Sequence, residues 1–136
     1  MSDFIASVGG IDDFFLYFLM SVALVALFLT VYMWVTPYRE LALIRQGNLA
    51  AAVSLSGALL GFVVPLASAI VHSVAWWDML LWGAVALVVQ LAAYFVVRAM
   101  VPTLAEDIPA GRVAQGLFLG ATSLAIGILN AASMTY

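Results

Sequence analysis

The sequence of 136 residues has no cysteine, no lysine and only 8% charged side chains. Without cysteine, a disulfide framework, a thiolate metal site and a cysteine nucleophile are all excluded. The four basic residues are arginines that are spread along the chain, so we expect no nucleic-acid partner. The first ten residues contain Asp3 and no basic residue, which argues against a cleaved signal peptide. The first apolar segment is therefore expected to remain in the protein.

Hydrophobic residues make up 67% of the chain, too many for a water-soluble surface. Four stretches have no Asp, Glu, Lys or Arg: residues 14–38, 46–77, 79–97 and 113–136. Each is long enough to cross a bilayer, whereas a soluble helical bundle would show polar residues at every third or fourth position. The pattern predicts an all-α membrane protein with four transmembrane helices, at about 13–36, 48–72, 77–101 and 111–134.

Landmarks of the first half recur in the second half at offsets of 65 and then 64 residues. Asp13, Pro37, Ile44 and Gly47 are answered by Asp78, Pro102, Ile108 and Gly111. We interpret residues 1–12 as a short outer N-terminal segment, 13–72 as a first two-helix repeat and 73–136 as a second. A duplicated two-helix unit keeps its orientation, so the sequence predicts two tandem helical hairpins related by a pseudo-two-fold axis along the membrane normal.

The arginines predict the orientation. Arg39 and Arg45 lie between the first and second spans, and Arg98 and Arg112 flank the turn between the third and fourth. An even number of crossings separates the two turns, so both fall on one side, which the positive-inside rule makes cytoplasmic. Both termini are then predicted to be periplasmic.

Small residues line one side of the second and fourth spans at helical spacing. We name these the glycine faces: Ser54, Gly57 and Gly61 in the second span, and Gly116, Gly120 and Gly127 in the fourth. Each face contains a GxxxG pattern, which allows close approach of another helix backbone. We interpret the faces as helix-packing surfaces; the alternative is that they line a solute path.

Polar side chains deep in the spans are few. Gln90 in the third span and Ser123 and Asn130 in the fourth form a candidate polar path, and Tyr94 and Arg98 share the helix face of Gln90. Most such amides are interhelical hydrogen-bonding groups, and a substrate path is the alternative. No span contains a central acid or lysine, which argues against proton-coupled transport.

The sequence gives little support for enzymatic activity or metal binding. It lacks a nucleophile with a base and an orienting group, a Walker loop and a zinc motif, and its single histidine, His72, has no partner ligands nearby in the sequence. We expect no enzymatic activity, no cofactor and no metal.

Two segments carry a family resemblance. QGNLAAAVSLSGALLGFVVPLASAI at 46–70 and DIPAGRVAQGLFLGATSLAIGILNAASMTY at 107–136 resemble the two copies of domain of unknown function 350 in YjfL-like inner-membrane proteins. Arg112 departs from the pattern, since an asparagine there would repeat Asn48. The resemblance implies a bacterial inner-membrane location and a duplicated two-helix unit. Members of the family are similar to proteins encoded near PspA-type membrane-stress components and ATP-grasp ligases, so the resemblance suggests a role in envelope maintenance.

Two functional hypotheses follow. In the first, the chain is a non-enzymatic, oligomerising interaction module in the lipid bilayer, which packs with itself or a membrane-protein partner through the glycine faces. In the second, it is an oligomeric channel or facilitator for a small solute or ion. The path would then be lined by Gln90, Asn130, Ser54 and Ser123.

Overall fold

A computed structural model describes the backbone of residues 2–134 and the side chains of residues 4 and 9–134. Over this range the secondary structure is six helices and no strand. They are α1 (Ser2–Val35), α2 (Glu40–Arg45), α3 (Leu49–His72), α4 (Trp76–Met100), α5 (Leu104–Asp107) and α6 (Val113–Ser133). Helices α1, α3, α4 and α6 are long and apolar enough to cross a membrane. The predicted all-α fold with four spans is confirmed; residues 1, 135 and 136 lie outside the described range.

Helix α1 begins much earlier than the sequence pattern predicted. It runs without a break through Asp12 and Asp13, where we placed the start of the span. Both side chains are exposed, so neither carboxylate has to be buried for the helix to continue. At 1.5 Å per residue the 34-residue helix is roughly 51 Å long, well beyond the roughly 30 Å of a hydrocarbon core. The apolar part that can span is Gly9–Val35.

The two arginine-bearing turns lie side by side at one end of the bundle. Each contains a short helix, α2 or α5, followed by a glycine with positive φ: Gly47 at 83° and Gly111 at 78°. The Asn48 side-chain amide of the first turn donates to the Ile108 carbonyl of the second, at 2.9 Å. The predicted placement of both turns on one side therefore agrees with the structure. The pseudo-two-fold relation between the halves stays a prediction.

Helices α3, α4 and α6 form the packed core, with α3 at its centre. Helix α3 continues through the buried Pro65, so this proline does not divide the span. Helix α1 is peripheral: partly buried side chains from Tyr17 onward pack against the core, but its fully buried side chains lie near its C-terminal end. There, Phe28 stacks on Phe62 of α3 with ring centroids 4.5 Å apart, and Tyr32 meets Tyr94 of α4. The fold is a tight three-helix core with a fourth helix packed against its outside.

Candidate functional site

The glycine faces of α3 and α6 pack directly against each other. A Cβ atom added to Gly57 would clash with the backbone of Gly120, and one added to Gly127 would clash with the backbone of Gly61. A Cβ atom on Gly120 would lie 2.5 Å from the Val53 carbonyl oxygen. Backbone therefore meets backbone along this crossing, which leaves no room for a lumen.

Each glycine face therefore packs against a helix of its own chain. The packing partner of α3 is α6 of the same chain, so the faces are not available to a second copy. Gly116 of α6 likewise packs against the backbone of Ala50 in α3. Ser54 is buried in the contact and its hydroxyl donates to the Ala51 carbonyl of its own helix, at 3.1 Å. The first hypothesis therefore needs a different assembly surface.

Gln90 lies where α3, α4 and α6 meet. It is fully buried, and its amide nitrogen donates to the Ser123 carbonyl at 3.0 Å. Gly61 makes room for it, because a Cβ atom there would lie 2.6 Å from Gln90 Nε2. Gln90 Oε1, Ser123 Oγ and Asn130 Nδ2 are buried and have no hydrogen-bond partner within residues 2–134. Gln90 and Ser123 are thus brought together and enclosed where α4 packs against α6, whereas Asn130, two turns further along α6, is partly buried.

Toward the arginine turns, tyrosines continue this line of polar groups. Tyr94 is one helical turn from Gln90, and its ring meets that of Tyr32 edge-on at 5.8 Å between centroids. The hydroxyls of Tyr32, Tyr38 and Tyr94 are buried, and none makes a well-formed hydrogen bond in the described part of the chain. Tyr38 and Tyr94 nevertheless face each other, and both lie near the Arg98 guanidinium.

Glu40 completes this group, and its burial was not predicted from the sequence. Its side chain is 1% exposed although it belongs to a turn. The Thr36 hydroxyl donates to Glu40 Oε1 at 2.6 Å, while Oε2 has no partner among the described residues. Burial raises the pKa of Glu40, and the hydrogen bond from Thr36 acts in the opposite direction. We call Glu40, Tyr32, Tyr38 and Tyr94 the carboxyl–tyrosine cluster.

The second turn buries an acid differently. Asp107 accepts a hydrogen bond from Thr103 at 2.7 Å and forms an ion pair with Arg112 at 3.5 Å. Glu40 makes no ion pair of this kind in the region that the structure covers, so its charge is not compensated in the same way. Among described residues, no group of three His, Cys, Asp or Glu side chains could hold a metal ion.

Comparison with known proteins agrees with this architecture. The model of the Domain of Unknown Function (DUF350) matches residues 4–134. The UPF0719 inner membrane protein YjfL of Escherichia coli K12 is 45% identical over 120 residues, which cover 88% of this chain and 91% of YjfL. The UPF0719 transmembrane protein YshE of Bacillus subtilis is 34% identical over 95 residues, covering 67% of this chain and 68% of YshE. No solved structure gives a significant match. By the extent of these matches, the chain belongs to the DUF350 family.

Proposed function

We propose that this chain is a multi-pass protein of the bacterial inner membrane and acts there as a non-enzymatic interaction module that assembles with a second copy through α1. The inner-membrane location is supported by the name of YjfL, and the arginine turns favour a cytoplasmic position for that end. One observation carries the assembly step. Only 6% of the residues in the most apolar part of α1 are buried inside the protein, compared with 56% in the corresponding part of α3.

The space around α1 supports a self-complementary contact. A cleft of about 300 Å³ separates α1 from Ile70 of α3, and one of about 430 Å³ separates it from Trp76 and Leu80 of α4. On the same helix, Phe14 and Phe18 stack on each other and are 59% and 53% exposed. In a two-fold symmetric dimer the same surface of both copies meets itself. The exposed rings of each α1 helix can then fit into the clefts beside the α1 helix of the other copy.

The absence of cysteine makes this assembly directly testable. Val22 of α1 shares the helix face of Phe14 and Phe18 and is 51% exposed, and Val88 of α4 is 64% exposed. Under oxidation in membranes, Val22→Cys is expected to give several-fold more disulfide-linked dimer than the matched Val88→Cys. Equal cross-linking of the two variants, or none, would show that lipid covers α1 and would overturn the proposal.

A second candidate function, passage of a small solute or ion, is favoured by the buried polar atoms of Gln90, Ser123 and Asn130 that lack partners. Flux through proteoliposomes should then fall by an order of magnitude or so in Gln90→Leu and Asn130→Leu, since an apolar side chain in the path adds a barrier of at least about 1.4 kcal/mol. Gln115→Leu, a change at a partly exposed amide of α6, is the control. Flux that all three variants leave unchanged would rule out these residues as the lining.

A further inference from the structure

Glu40 occupies an unusual position for an acid in this protein. It is enclosed near the membrane boundary although Arg39 and Leu41, its neighbours in the sequence, are exposed. One carboxyl oxygen accepts the Thr36 hydroxyl, and the other is buried without a partner within the described residues. An unsatisfied buried polar atom in a folded protein calls for an explanation, and a bound ligand or proton is one.

The groups around Glu40 restrict what that ligand can be. Tyr32 approaches Glu40 from α1, Tyr38 from the turn and Tyr94 from α4. Arg98 of α4 lies near Tyr38 and Tyr94. The titratable residue of α3 is His72, at the opposite end of that helix, and Asp107 and Arg112 near α6 pair with each other. One carboxylate among neutral tyrosine hydroxyls is a poor site for a hard metal cation, which prefers several carboxylate or carbonyl oxygen ligands. A proton requires no cavity and no additional oxygen ligands.

We propose that Glu40, enclosed with the hydroxyls of Tyr32, Tyr38 and Tyr94, is a proton-binding site that exchanges one proton with water at the membrane face carrying the arginine turns. On binding, a proton from water forms an O–H bond with Glu40 Oε2, and the carboxylate becomes a neutral acid. The new O–H can donate to a neighbouring tyrosine oxygen, which supplies the partner that Oε2 lacks. On release the proton returns to water. This inference does not depend on assembly through α1.

The burial that encloses Glu40 also disfavours its charged form, so burial raises the pKa of Glu40 above its ordinary value of about 4.5. The site would therefore hold its proton at a pH where exposed carboxyls have ionised. Thr36 works against this, since its hydroxyl stabilises the carboxylate by hydrogen bonding. Removing that hydroxyl should raise the pKa of Glu40 further.

Infrared spectroscopy of the full chain in lipid nanodiscs tests the site. The C=O stretching band of a protonated carboxylic acid is followed as pH rises, in the unaltered protein, Glu40→Gln and Glu106→Gln. Glu106 is an exposed acid in the other turn and serves as the matched control. We expect a band that persists above the pH at which exposed acids ionise, is absent in Glu40→Gln and is retained in Glu106→Gln. A band that Glu40→Gln leaves unchanged would overturn the assignment, as would ionisation together with the exposed acids.

Thr36→Val keeps the test decisive if Glu40→Gln fails to fold. Valine matches threonine in shape and removes only the hydroxyl, so the persistent band should then ionise at a higher pH than in the unaltered protein. A band that ionises at the same or a lower pH would contradict the role of Glu40. The titration is repeated with sodium replaced by potassium, and any dependence on the cation would show a metal ion competing at the site and overturn its assignment to a proton.

Discussion

Gly57→Ala is expected to disrupt the contact between α3 and α6 and to destabilise the fold by more than about 3 kcal/mol, at or beyond the upper end of the usual range for overpacking. The added methyl group would overlap the carbonyl oxygen, Cα and carbonyl carbon of Gly120. Side chains can relieve a clash by changing rotamer, but a backbone can do so only if the whole helix moves. Helix α6 cannot move away without also breaking the contacts at Gly61 and Gly127. Thermal unfolding in detergent, followed by circular dichroism and gel filtration, measures the loss.

Gly10→Ala is the matched control for this experiment. Gly10 is also helical, and a Cβ atom there meets nothing within 4 Å. Gly83→Ala provides an intermediate case, because its Cβ would lie 3.1 Å from Leu24 Cδ1, the end of a flexible side chain. The expected order of destabilisation is Gly57, then Gly83, then Gly10. Similar unfolding temperatures for the Gly57 and Gly10 variants would show that α3 and α6 do not cross as closely as described.

The spans themselves were predictable because hydrocarbon imposes a simple requirement on sequence. A charged residue interrupts each apolar stretch near a boundary, and the predicted limits of α3 and α4 agree with the observed Leu49–His72 and Trp76–Met100 to within a residue or so. The first span begins at Gly9, close to the predicted start, but its helix begins at Ser2, because a charged residue marks the end of the apolar stretch and does not stop a helix. Asp12 and Asp13 remain exposed within α1, so the helix and the span have different limits.

The partner of each glycine face could not be predicted from the sequence. A GxxxG pattern shows that some helix can approach closely, and it has the same form whether that helix belongs to the same chain or to another copy. The peripheral position of α1 could not be predicted from the sequence either. Its apolar residues are as suitable for lipid as for protein, so composition does not distinguish a core helix from an exposed one.

The burial of Glu40 was not predicted, because this acid lies in a turn outside the spans. A turn is ordinarily solvated, and Glu40 follows the exposed Arg39. One local signal was present: a threonine four residues before an acid, Thr36 with Glu40, recurs as Thr103 with Asp107 in the second turn. Both pairs form a hydrogen bond, at 2.6 and 2.7 Å. The repeated spacing marks the two acids that the turns bury, and Asp107 differs in having an arginine partner.

Asn48→Ala is expected to cost about 2 kcal/mol, because this one side chain holds both turns. Its Oδ1 accepts the Ala51 amide at 3.0 Å and so caps α3, which is worth about 1 kcal/mol. Its Nδ2 donates to the Ile108 carbonyl at 2.9 Å, and a hydrogen bond of this kind contributes about 1 kcal/mol. Unfolding in detergent, followed by tryptophan fluorescence against denaturant concentration, measures the sum.

Two further variants separate these contributions. Asn48→Asp keeps an oxygen that can cap α3 and removes the donor to Ile108. Its loss of unfolding free energy should therefore be at least about half of the loss in Asn48→Ala. Arg112 stands at the corresponding position before α6, where its side chain makes no capping hydrogen bond. It is 65% exposed in its pair with Asp107, so Arg112→Ala should cost less than about 1 kcal/mol. If Arg112→Ala cost as much as Asn48→Ala, the two turns would be held equally by both residues. The departure at Arg112 from the asparagine of the first half would then have no structural consequence, and the Asn48 amide would not be the main link between the two turns.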